Sequence, residues 1–62
     1  MSVLEFIIEM QRHFDGTCQF FYLDEEITDN NLYIYEDEKV ENWTCGVNSN
    51  NEYGDIFIIE IE

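Results

Sequence analysis

At Gly16 the sequence changes grammar, and that change limits the fold more than any other feature. Before it, Val3, Ile7, Met10 and Phe14 recur at i, i+4, i+7 and i+11. Leu4, Phe6 and Ile8 widen the stripe, and Glu5, Glu9, Arg12 and His13 take the other side. This spacing is that of an amphipathic helix. Ser2 and Glu5 form an S-x-x-E capping box ahead of the apolar run, and Gly16 is placed to end the helix. The pattern predicts a helix over residues 2–14. Glu9 can meet Arg12 at i+3 and His13 at i+4, each pair worth a few tenths of a kcal/mol. Both basic residues suit the negative end of the helix dipole.

After Gly16 the period falls to two. Residues 17–23 are rich in aromatic side chains, and Leu32–Tyr35 alternates aliphatic with aromatic. Val40–Val47 places Trp43, Cys45 and Val47 on one face, and residues 55–62 set Phe57, Ile59 and Ile61 opposite Glu60 and Glu62. These are strand signatures. Turn-forming clusters separate them: TDNN at 28–31, EDE at 36–38 and NSNNEYG at 48–54. Short connections favour antiparallel neighbours. The expected fold is α+β, one N-terminal helix packed on a three- or four-stranded antiparallel β-meander, as a single domain over residues 1–62.

A domain of about 60 residues buries only about 60% of the surface its unfolded chain exposes, so its stability is marginal. Ten aromatic residues and a 45% hydrophobic content nevertheless set the chain apart from an unfolded acidic tail. Against that narrow margin stands the charge. Fifteen Asp and Glu oppose two basic residues, a formal net charge of −13. Solubility in a small domain asks for a magnitude of only about 2–8, and self-repulsion beyond it destabilises the compact state. A basic partner would account for the excess, and so would halophilic adaptation. Nucleic acid and anionic membranes are repelled as direct ligands.

The acids are unevenly placed. Residues 24–41 hold eight acids and one lysine, a net of −7, within a stretch that includes LYIYEDEKVEN at 32–42. Side chains two apart on a strand share a face at about 6.6–6.8 Å, and strands lie about 4.8 Å apart. Asp24, Glu26, Glu36, Glu38, Glu60 and Glu62 can thus form a carboxylate grid on the uncovered sheet face and its rims. Duplex DNA carries one charge per about 1.7 Å of axis, a field such a grid approximates over a short patch. The plainer reading is a solvated face, but almost no Lys or Arg compensates these acids. Asp24, Glu25, Glu26, Asp29, Glu36, Asp37, Glu38 and Glu41 are the candidate partner-binding acids. Tyr33 and Tyr35 are candidate anchors, since tyrosine joins an apolar body to a polar tip.

The ingredients of catalysis are sparse. His13 lies beside Glu9 as a surface pair. Cys18 and Cys45 lack C-x-x-C or metal-site spacing and read as buried structural thiols. Gly16, Gly46 and Gly54 are too scattered for a phosphate loop. Asn48, Asn50 and Glu52 have the 1-3-5 spacing of an EF-hand, but Tyr53 stands where its glycine belongs and Ile59 where its bidentate Glu belongs. The expectation is a non-enzyme with no cofactor and no metal. No signal peptide or membrane span is read, which makes the cytoplasm the expected compartment, with reduced thiols. The sequon at Asn42 is read as chance.

Small size, extreme acidity and many tyrosines resemble the nucleic-acid-mimicking inhibitors carried by phages and mobile elements, such as uracil-DNA glycosylase inhibitors and some anti-CRISPR proteins. The resemblance is one of composition over the whole chain. It implies a protein that blocks the basic nucleic-acid-binding surface of a host nuclease, glycosylase or CRISPR effector. Two rival expectations stand beside it: an immunity protein that neutralises a basic toxin nuclease, and a homodimeric assembly subunit paired through the edge of the C-terminal strand.

Overall fold

The computed structural model describes residues 1–14, 18–47 and 55–62. The first helix, α1 (Val3–His13), forms as its pattern predicts. The Ser2 hydroxyl accepts from the Glu5 N–H at 3.1 Å, and Glu5 Oε1 accepts from the Ser2 N–H at 3.0 Å. Both halves of the capping box are therefore made. Gly16, expected to end the helix, lies outside the described residues, as does the turn at 48–54. The strands are β1 (Cys18–Tyr22), β2 (Glu25–Ile27), β3 (Val40–Val47) and β4 (Asp55–Ile61).

The α+β expectation holds, but the sheet is mixed and is not a meander. Its order is β2-β1-β4-β3, with β1 and β4 parallel and the other two pairs antiparallel. Direction follows from where the segments start. Ser2 bridges Lys39, and the Val40 N–H donates to the Met1 carbonyl at 3.0 Å, so α1 and β3 begin at the same end of the sheet. Each then returns through its following strand, β1 or β4, toward that end, and the two strands run together. The centre goes to β4, the most continuously apolar strand. It has no free edge over Asp55–Ile58, and the sheet's edge strands are β2 and β3.

A second departure is at Leu32–Tyr35, which is a one-turn helix, α2, and not a strand. The Thr28 carbonyl accepts from the N–H groups of Asn31 (3.2 Å) and Leu32 (2.9 Å), and the Leu32 carbonyl accepts from Glu36 at 2.9 Å. A helical turn brings residues three apart to one side. Leu32 and Tyr35 accordingly lean on the core while Tyr33 and Ile34 face water. Four consecutive apolar residues carry no period that separates helix from strand.

Both helices cover one face of the sheet. The core between the layers is Val3, Phe6, Ile7, Phe20, Ile27, Phe57 and Ile59, with no buried polar side chain among the described residues. Phe57 lies at its centre, stacked on Phe20 at 5.2 Å and edge-on to Phe6 and Phe14. Trp43 leans on Phe6 and Phe57 from β3. Cys18 is half-buried, but Cys45, expected to be buried, is exposed, because β3 is an edge strand. Both thiols are free. With β4 between their strands and a register offset of two residues, Cys18 beside Asp55 and Cys45 beside Phe57, they stand about 12 Å apart, beyond the reach of a disulfide. Burial, and then Asp55, pushes both thiols above their ordinary value.

The β1–β2 connection is a two-residue hairpin with Leu23 at φ 50° and Asp24 at φ 64°. Positive φ at both central positions is the type I′ turn, whose twist matches that of the flanking strands. Asp tolerates this region, whereas a bulky leucine is strained there, and Leu23 is 77% exposed with no packing to compensate.

Candidate functional site: an acidic pole

The parallel pairing of β1 and β4 brings the ends of both strands to the end of the sheet where α1 and β3 begin. Charge gathers there. Asp24 and Glu25 come from the hairpin, Glu36, Asp37 and Glu38 from the turn after α2, Glu41 from the start of β3, and Glu60 and Glu62 from the end of β4. Lys39 lies among Asp37, Glu38 and Glu62.

The turn at 36–38 is tied to α1 by its backbone. The Val3 N–H donates to the Glu38 carbonyl at 2.8 Å and the Leu4 N–H to the Glu36 carbonyl at 3.3 Å. These are first-turn N–H groups, which have no partner inside a helix. The turn that carries the three acids therefore packs by its backbone against the positive end of the α1 dipole, a place that favours negative charge. Glu5 in the same turn is held below the usual glutamate value, first by the Ser2 backbone N–H and then by the Ser2 hydroxyl.

Neutral donors fix the hairpin acids. Asn31 Nδ2 donates to Glu25 Oε1 at 3.0 Å and to the Glu26 carbonyl at 2.9 Å, while its Oδ1 accepts from the Thr28 N–H at 2.7 Å. Tyr35 Oη donates to the same Glu25 oxygen at 3.2 Å, and Gln19 Nε2 to Glu26 Oε2 at 3.3 Å. Such contacts orient a carboxylate without cancelling its charge. Among the described residues the one ion pair is His13 with Glu9 at 3.0 Å, on α1, made when the imidazole is protonated; Arg12 does not join it. Partial burial, and then Glu25, raises the Tyr35 phenol above its ordinary value.

Between hairpin and turn runs a shallow groove of about 300 Å³ lined by Tyr22, Ile34, Tyr35, Glu38, Ile61 and Glu62. It opens where β1 turns away and β4 continues. Tyr35 forms part of its wall, edge-on to Tyr22 at 5.5 Å, and is a structural residue as well as a candidate anchor. Tyr33 is 73% exposed and free to make contact. Chemically the groove offers aromatic faces beside carboxylates, a setting for Lys or Arg side chains.

Two expected members stand apart. Asp29 lies beyond the α2 turn, near Gln11 and Cys18, and Glu26 points to the open face of the sheet. The expected carboxylate grid on that face does not form, because Phe21, Ile56 and Ile58 occupy its centre and leave acids at its margins. Asn31 was missed as an organiser, and only its place in the TDNN cluster hinted at it. No helix of the described residues is long and apolar enough to cross a membrane. No family model matches the chain, and no curated protein or solved structure matches it either.

Proposed function

We propose that this protein is a small acidic inhibitor that seats its charged pole in the basic nucleic-acid-binding surface of another protein, in the manner of phage-borne nucleic-acid mimics. The observation that carries the proposal is carboxylates gathered from the hairpin, the turn at 36–38 and β4, with Glu25 oriented by the neutral donors Asn31 and Tyr35, the backbone of the turn tied to the N-terminus of α1, and no ion pair among the described residues of the pole. A pole arranged for its own stability would recruit lysine or arginine. With Lys39 the single cation among its eight acids and no ion pair made there among the described residues, it keeps most of its field for a partner, where complementary charge speeds association and sets specificity.

The partner is a basic nuclease, glycosylase or CRISPR effector of the host cytoplasm. Tyr33 and the groove beside Tyr35 supply contacts, and Asp24, Glu25, Glu36, Asp37, Glu38 and Glu41 supply the field. The test is capture of such enzymes on the immobilised protein, with duplex DNA as competitor. Competition by DNA and release by salt are expected. The triple variant Glu36→Lys, Asp37→Lys, Glu38→Lys should lose the captured enzyme. Binding that survives both DNA and the triple reversal would sink the proposal.

A further inference from the structure

The apolar run Ile56, Phe57, Ile58, Ile59 is the pattern of a strand covered on both faces. In this fold β4 is covered on one. Phe57 and Ile59 are buried under the helices, while Ile56 and Ile58 alternate to the other side, where Ile58 is 52% exposed. Register extends the patch across the sheet. Phe21 sits beside Ile58 on one flank and Thr44 on the other, and Gln19 and Gly46 flank Ile56. At Gly46 a Cβ would meet nothing within 4 Å. A glycine inside a strand weakens it and often marks close approach by another chain. Glu26 and Glu60 stand at the margins, and no cation lies between them among the described residues of the face.

We infer that this open sheet face is a second contact surface, which takes an amphipathic basic segment of the partner: apolar side chains over Phe21, Ile56, Ile58 and Gly46, Lys or Arg toward Glu26 and Glu60. Charge chooses the occupant. A second copy would bring another −13 and set acid margins against acid margins, whereas a cationic segment is drawn to the same frame. The inference rests on the proposed function only in taking the partner to be basic. It adds the component of binding that salt does not screen, since apolar burial is insensitive to ionic strength in the way that surface ion pairs are not.

Two synthetic probes test it: an amphipathic helix of Leu and Lys, and an oligolysine of equal charge. The Leu/Lys peptide should bind about tenfold more tightly, the gain expected from burying one large apolar side chain. It should also shift the amide resonances of Phe21, Gly46, Ile56 and Ile58. Gly46→Lys, which the open space admits without strain, should remove that gain. Gln11→Lys on α1 adds the same charge on the other layer and should leave it intact. Equal affinities for the two peptides, or shifts confined to the acidic pole, overturn the second surface while leaving the acidic pole's role standing. Loss of oligolysine binding in the 36–38 triple variant reports on the pole alone.

Discussion

The aromatic core and the acidic pole are built on opposite rules. In the core, Phe6, Phe20 and Phe57 interlock with no polar side chain among them, so cohesion comes from close packing and burial. At the pole, like charges crowd together around a shallow groove of Tyr22, Ile34, Tyr35 and Ile61. What holds them is hydrogen bonding: carbonyls of the turn at 36–38 on the first N–H groups of α1, and the Asn31 side chain on Glu25 and the Glu26 carbonyl. The side chains of the turn at 36–38 are therefore free to vary in sign without loss of the scaffold, while those of the core are not.

The sharpest break of that contrast is Phe57→Ala. Phe57 is fully buried and touches four other rings, and truncating such a residue costs about 3–5 kcal/mol. That is most of the stability of a marginal domain, so the variant should lose its cooperative thermal transition. The triple lysine variant at 36–38 should keep it and its native circular dichroism. Should the triple variant unfold as Phe57→Ala does, the division between core and pole is wrong.

A smaller effect is expected where the two regions meet. Ser2→Ala removes half the capping box and should lower stability by about 1 kcal/mol in urea titrations. The pH dependence has a definite sign. Because Glu5 is held below its ordinary value of 4.5 in the fold, its contribution is present above that value and lost as pH falls through the lower, folded one. Ser2→Ala removes only the hydroxyl's share, since the Ser2 backbone N–H that chiefly lowers Glu5 remains, so it should shallow that acid limb in part and leave the neutral range parallel to the native protein.

Smallest is Tyr35→Phe. The Tyr35 phenol is raised above its ordinary value of 10.0 by partial burial and by Glu25. The neutral form is favoured, so its contribution is complete below that value and vanishes as pH rises through the higher, folded one. Absorbance titration of the native protein should show one tyrosine ionising late, and Tyr35→Phe should remove that late component.

What sequence alone revealed divides along physical lines. The helix was legible because its period repeats over three turns and its cap is local, from Ser2 to Glu5. Strands β1, β3 and β4 were legible from alternation and aromatic content. Leu32–Tyr35 was not, because four apolar residues fit either period and the Thr28 carbonyl decides. Nor was the parallel pairing of Cys18 with Asp55, which is set by where two distant segments begin. The site was legible as composition: the acids of 24–41 do gather with Glu60 and Glu62, apart from Asp29 and Glu26. That Ile56 and Ile58 would displace a carboxylate grid was hidden, since their outward side follows from the central place of β4.

The parallel seam between β1 and β4 also bears on how the chain folds. Each hairpin, β1–β2 or β3–β4, closes locally, but a lone two-stranded hairpin is marginal in water. The seam that unites them joins Cys18 to Asp55 and Phe21 to Ile58, contacts of long sequence separation that slow folding. Neither half persists without the other, so the carboxylates at 36–38, which lie between the halves, assemble late. The acidic pole comes into being with the seam, as a single event.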